Sequence, residues 1–273
     1  MKKLQKAVLL LALTLIASCS KDDPKTPVTA TVIDYSTAAA ISGEFQRNVL
    51  IEDYTGTWCG YCPRMAYGIE KVIEQGIRIV PVAIHGGSST EPFLYSGTFP
   101  TTVTGYPTGK LNRGADWDYL STSDITKVKR LNGNNCPMGI AMNSTVTGTT
   151  INLDVKTKYT ADYSGLKLVV YVVEDGLVYT QQNYTSYYGG GSTIPGFVHN
   201  NALRACFTDV LGDALTGTVK GATVTKNFSV NIPSRVQNVA NMKFIAFLVD
   251  AAGQTINVRS SASGVNQAFE ENL

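Results

Sequence analysis

Apolar and polar positions along the chain show two textures. Residues 28–35 (VTATVIDY) and 48–54 (NVLIEDY) are rich in β-branched and aromatic side chains, whereas residues 64–75 place apolar positions at helical spacing, with Gly76 as a stop. Residues 77–85 (IRIVPVAIH) return to a β pattern. Strand, helix, strand in that order predicts a parallel βαβ unit, because parallel strands need a crossover. Residues 116–131 read as a second helix. After Cys136 the helical spacing stops, and IAMNSTVTG, TINLDVKTKY, LKLVVYVVE, GLVYTQQN, TVTKNFSVNI, MKFIAFLVD and QTINVRSSA follow one another across Gly, Asn or Asp turns. Strands without intervening helices predict an antiparallel β-sandwich. The turn at Ala251-Ala252-Gly253-Gln254 predicts a terminal hairpin. Residues 183–199, with Tyr184, Tyr187, Tyr188 and three successive glycines, form the longest irregular stretch, and a loop of that length is either functional or mobile.

The composition adds that the chain is globular. With 273 residues, 44% hydrophobic and 16% charged, it is neither disordered, collagen-like nor a coiled coil, and it is long enough for two domains. Residues 7–16 (AVLLLALTLI) follow Lys2 and Lys3 and reach half the ~20 residues a membrane-spanning helix needs, so they read as a secretory signal core. Ile16-Ala17-Ser18-Cys19 resembles the lipobox of bacterial lipoproteins. That resemblance implies a signal peptide over residues 1–18, lipid on Cys19, and a protein held on a membrane rather than through it. Residues 19–27 are then a polar, proline-containing tether. Within it, Ser20-Lys21-Asp22-Asp23 resembles the acidic export tag of surface lipoproteins, or is simply solvated. Without Lys2, Lys3 and Lys6 the formal charge falls from +2 to −1. A chain with no basic excess has no footprint for a phosphate backbone, so nucleic acid is not an expected partner.

Candidate chemistry centres on Trp58-Cys59-Gly60-Tyr61-Cys62. A C-x-x-C between a strand and a helix resembles a thioredoxin-like redox site. With Cys59 at the helix N-terminus, unpaired amides and the helix dipole would favour its thiolate. Cys62, one turn on, would resolve a mixed disulfide from within. Structural zinc needs four ligands, and Cys136, Cys206, His85 and His199 are not paired at motif spacing, so no metal is expected. Asp53 lies six positions before Cys59 in a string, Glu52 to Cys59, that resembles the thioredoxin strand with its buried aspartate; the resemblance implies a proton acceptor, the alternative being an exposed strand-end carboxylate. Tyr106-Pro107-Thr108 resembles the cis-proline loop that faces such a dithiol and pairs with substrate backbone through Tyr106 and Thr108; Trp58 completes the set.

EDYTGTWCGYCPR, GYPTGKLNR and HNNALRA together resemble the twenty-eight-kilodalton outer-membrane protein family of Bacteroidetes-type bacteria. The resemblance implies a lipoprotein of α/β plus all-β class: a thioredoxin-like domain over residues 28–135, then an antiparallel, Ig-like β-sandwich domain over residues 136–273. Two functions are compatible with it. One is thiol-disulfide exchange on envelope proteins or small thiols, with no cofactor beyond the redox-active disulfide and the lipid on Cys19. The other is a surface binding, adhesion or receptor-type role in which a Cys59–Cys62 disulfide is structural. Residues 86–105 exceed what an ordinary thioredoxin carries before its proline, and would cover the dithiol or shape a groove.

The remaining residues are read more plainly. His85 closes its strand at the same sheet edge as Cys59, where it would support the thiolate or simply pack. His199 is read as structural, and Arg64 as a charge near the dithiol or a solvated side chain. Cys136 and Cys206 are the candidates for a structural disulfide in an exported protein.

Overall fold

The computed structural model describes residues 34–273, so the signal core, Cys19 and the tether all lie outside the described residues. Chain order begins β1 (Phe45–Arg47), β2 (Val49–Thr55), α1 (Pro63–Glu74), β3 (Ile79–His85), β4 (Thr108–Leu111), β5 (Ala115–Trp117), α2 (Ser123–Leu131) and β6 (Gly133–Cys136). It continues with β7 (Met138–Thr147), β8 (Thr150–Tyr159), β9 (Lys167–Glu174), β10 (Leu177–Gln182), β11 (Thr193–His199), β12 (Ala202–Cys206) and β13 (Asp213–Ala214). The last strands are β14 (Thr223–Asn231), β15 (Met242–Val249) and β16 (Thr255–Ala262).

β2 and β3 pair in parallel across α1, with Asp53 opposite Ala83. β2 is buried along its whole length although it carries Glu52 and Asp53, β3 is mostly apolar, and each must find a neighbour on its other edge. β2 takes β4, antiparallel. β3 takes β12, more than a hundred residues later, and β12 pairs antiparallel with β9 on its far side. The result is a nine-stranded mixed sheet in the order β16-β15-β9-β12-β3-β2-β4-β5, with β13 also on β9.

This sheet overturns the expected fold class. In place of a thioredoxin-like α/β domain followed by a separate Ig-like sandwich, strands from both sides of Cys136 share one hydrogen-bonded sheet, and all described residues fall in one compact unit. The three-stranded sheet β14-β8-β7 stacks on that large sheet instead of forming a sandwich of its own.

Side-chain alternation along the strands divides the core. Leu50 and Tyr54 of β2, Val82 and Ile84 of β3, Tyr171 of β9 and Phe247 of β15 point to one face. The 86–105 segment closes that face with Tyr95 and Phe99. On the opposite face, Val49 and Ile51 pack under α1 and α2, while Leu168, Val170 and Phe244 pack under the three-stranded sheet. Cys136 belongs to the core under the three-stranded sheet and Cys206 packs against the other face. The large sheet lies between them, so the disulfide proposed from sequence does not form and both cysteines are free.

Two further elements differ from the sequence pattern. The helix read over residues 116–131 is a strand at Ala115–Trp117 and a helix only from Ser123. Residues 183–199, read as irregular, are the tip and second strand of a β10–β11 hairpin, with Val178 opposite Val198. The terminal hairpin forms as expected: Asp250 Oδ1 accepts from the amides of Ala252 and Gln254, both at 2.9 Å, and this closes the turn between β15 and β16.

Candidate functional site

Cys59 and Cys62 form a disulfide in the turn between β2 and α1. The amide of Cys62 donates to the carbonyl of Cys59 at 3.2 Å, and α1 begins one residue later at Pro63. Pro63 suits that first helical position, where an amide hydrogen would have no partner. Cys62, rather than Cys59, therefore occupies the helix cap. Neither sulfur is open to bulk solvent, since Cys59 is 4% exposed and Cys62 2%.

The cover comes from the β10–β11 hairpin. Gln181 Nε2 donates to the carbonyls of Cys59 (2.9 Å) and Gly56 (3.2 Å), the Gln182 amide donates to Thr57 O (2.8 Å), and the Tyr184 amide donates to Gly60 O (2.6 Å). Tyr187 stacks on Tyr67 of α1 at 4.3 Å, and the Tyr188 hydroxyl donates to Glu70 at 2.8 Å. A Cβ at Gly60 would lie 2.3 Å from the Tyr184 ring. Gly60→Ala is therefore expected to push this exposed tyrosine aside and speed reduction of the disulfide by dithiothreitol several-fold, read as thiol release against time; an unchanged rate would mean that the Tyr184 ring does not guard the bond.

Beneath the turn, Asp53 is buried and its Oδ1 has no hydrogen-bond partner. Burial, with a smaller contribution from the charge of Asp118, pushes its carboxyl up to about 8. The exposed strand-end alternative does not hold. Arg64 does not face the sulfurs as a free charge; it is held by Asp118 in a two-pronged pair, both contacts at 2.8 Å. Trp58 Nε1 donates to Gly86 O at 2.9 Å, and its ring meets Tyr106 edge-on at 5.4 Å. The Tyr106–Pro107 peptide is cis. Thr108 opens β4 opposite Tyr54, and its hydroxyl is turned back onto Gly105 O at 2.8 Å.

His85 is fully buried, with Nδ1 3.0 Å from Glu91 Oε1. Burial alone would raise Glu91, but bonds from His85 and from Thr57, whose amide and hydroxyl both reach Oε2, hold the carboxyl below its usual range. His199 lies edge-on to His85 with ring centres 5.2 Å apart, and burial followed by the His85 charge lowers it to about 3. A cavity of about 130 Å³ between α1 and the hairpin brings Asp53, Cys62, His85 and His199 together. Pro107, Tyr106 and Trp58 lie outside it. Glu91 and Gln181 were not legible as site residues, because no motif marks them and each acts through a long-range contact; Tyr184 belongs to the stretch that the sequence marks as functional or mobile. Among the described residues no group of three or more His, Cys, Asp or Glu side chains is arranged to hold a metal.

Comparison with known proteins places these features. No curated protein matches the chain. Of solved structures, HBP35 of Porphyromonas gingivalis superposes with a TM-score of 0.63 at 20% identity, over 81% of this chain and 76% of that one, a likeness of fold. Protein AGR_C_4864 from Agrobacterium tumefaciens gives a TM-score of 0.46 at 14% identity, over 86% of this chain and all of that one. The family model for outer membrane protein Omp28 matches residues 100–267, which take in Tyr106, Pro107, the β10–β11 hairpin and His199 and begin after the disulfide turn. The chain thus belongs to the Omp28 family of outer membrane proteins.

Proposed function

We propose that this outer membrane protein exchanges thiols and disulfides through Cys59 and Cys62. The observation that carries the reading is Asp53, an unpartnered, buried carboxyl that shares a cavity with Cys62 and is pushed up to about 8. A structural disulfide needs no such group, and an isolated buried carboxyl is costly to keep. Exchange gives one a role. When a thiol reduces the bond, a protein sulfur leaves as thiolate and takes up a proton, and a neutral Asp53 can give it; in the oxidising direction the carboxylate takes it back. Trp58, Tyr106, Pro107 and Thr108, which lie outside that cavity, are assigned to the wall that receives a polypeptide substrate.

The reduced protein, freed of reductant, is expected to reduce oxidised glutathione by two electrons through Cys59 and Cys62. A Cys59→Ser, Cys62→Ser variant, which keeps Cys136 and Cys206, should lose that capacity. Equal activity of variant and wild type would reject the assignment. A second reading, a binding protein with a structural disulfide, is favoured by the exposed aromatic side chains of Trp58, Tyr61 and Tyr184 around the turn. It takes over if wild type transfers no electrons.

The lipid anchor belongs to the same proposal. Native protein is expected to begin at lipidated Cys19, as read by mass spectrometry of its N-terminal peptide. An unmodified N-terminus elsewhere would remove the anchor from the account. If the tag after Cys19 directs export, protease added to intact cells should cleave the protein; protection until lysis would place it on the periplasmic side.

A further inference from the structure

Unpartnered buried polar atoms are costly and usually find partners in water or a ligand. Asp53 Oδ1, His85 Nε2 and His199 Nε2 are three such atoms, from three different strands, and their residues line one cavity. Its volume of about 130 Å³ is roughly ten times the ~10–15 Å³ one water requires, and well below the ~300 Å³ or more of drug-sized sites. The rim is exposed, with Glu70 and Ile73 on α1, Val198 on β11 and Asn200 just after it, while the inner wall is buried. Cys62 lines this wall and Cys59 does not. Cys59 lies beneath Gln181, which bonds its carbonyl, in the turn that Tyr184 covers.

We propose that this cavity admits a low-molecular-weight thiol, held by the free imidazole nitrogens of His85 and His199, which attacks Cys62 Sγ; Cys59 is then the leaving sulfur. The inference rests on the exchange reading above and adds its substrate class. The thiol loses its proton to water and enters as thiolate. Its sulfur bonds to Cys62 as the Cys59–Cys62 bond breaks and Cys59 departs as thiolate. A second thiolate attacks the small molecule's sulfur, releasing the small disulfide and the Cys62 thiolate. Two small thiols are oxidised, one protein disulfide is reduced, and the two protein thiolates take up the two protons, one by way of Asp53. The cavity, which Cys62 lines and Cys59 does not, sets which sulfur is attacked; the first-turn amides then ease the second step, in which Cys62 leaves as thiolate.

The test uses the oxidised full-length protein with two reductants at matched thiolate concentration: cysteamine, and reduced, unfolded ribonuclease A. Acid quenching, alkylation and peptide mapping then locate the mixed disulfide. The proposal expects cysteamine on Cys62 with Cys59 alkylated, a rate at least tenfold above that of the polypeptide, and a roughly tenfold slowing in Val198→Trp and in Ile73→Trp. These two variants narrow the mouth from opposite sides at exposed positions, so both can be checked for native circular dichroism. Cysteamine on Cys59, equal rates for the two reductants, or full speed in both folded variants would overturn the cavity proposal and leave exchange standing. No adduct on either cysteine with either reductant would reject exchange itself, and the cavity proposal with it.

Discussion

Asp53→Asn is expected to gain stability over wild type steadily as pH rises from about 4 to about 8. In the folded protein burial holds the Asp53 carboxyl at about 8, whereas the unfolded chain releases that proton near its ordinary 3.8. Between those values the folded state binds one proton more than the unfolded state, so stability falls with rising pH; it is flat below the lower value and above the upper one. Each pH unit of that window is worth about 1.4 kcal/mol, so the whole of it amounts to about 6 kcal/mol. Asparagine cannot ionise. Urea unfolding of both proteins, with the disulfide intact, should therefore show the variant's relative stability growing by several kcal/mol between pH 4.5 and pH 8.5. The opposite contribution of Glu91, held low by His85 and Thr57, is common to both proteins and drops out of the difference. A constant difference across that range would mean that Asp53 ionises normally and is not the proton reservoir of the site.

Glu52→Ala is expected to cost about 3–5 kcal/mol, the usual consequence of leaving one member of a buried ion pair without its partner. For a chain of this size that lowers Tm by roughly 10 °C. Glu52 and Arg113 are both buried, with Arg113 Nε 3.2 Å from Glu52 Oε1. The Tyr171 hydroxyl donates to the same oxygen at 3.1 Å, and Tyr54 reaches Oε2 at 3.4 Å. Arg113 also donates to Val210 O and to the Tyr171 hydroxyl, and lies over the Phe247 ring. The network joins β2, the β4–β5 turn, β9 and β15. Its loss should lower one cooperative unfolding transition, seen alike by circular dichroism and tyrosine fluorescence. Two separated transitions would contradict the single sheet. Glu52→Leu combined with Arg113→Met should recover most of the loss, because no lone charge then remains buried.

Local pattern carried the elements further than it carried their partners. The helix read over residues 64–75 spans Pro63–Glu74, the strand after Gly76 ends at His85 as read, and the terminal hairpin forms around Asp250. Each rests on spacing within a dozen residues. The fold class failed on β12: Ala202–Cys206, interrupted by Arg204, has no strand pattern of its own in the sequence, and nothing local says that it sits between β3 and β9. Strand edges carry no address in sequence; pairing is decided by which apolar faces remain uncovered once the chain collapses.

The site divides in the same way. The disulfide and the cis bond before Pro107 occur where their motifs placed them. Burial of Asp53 was open from sequence, because a carboxylate at a strand end reads alike whether covered or not. The hairpin that shields the sulfurs was hidden by Gly189-Gly190-Gly191, whose turn character masked the strand at Thr193–His199. The proposed pairing of Cys136 with Cys206 failed because alternation along β12 turns Ala205 to one face and Cys206 to the other.

The central claim is that Cys59–Cys62 is a working dithiol rather than a staple, and its reduction potential tests this most directly. Oxidised protein equilibrated in glutathione or dithiothreitol buffers, acid-quenched and resolved by alkylation, should give a midpoint in the range of exchange proteins, roughly −270 to −120 mV. A midpoint below about −300 mV, where structural disulfides of exported proteins lie, would contradict the account.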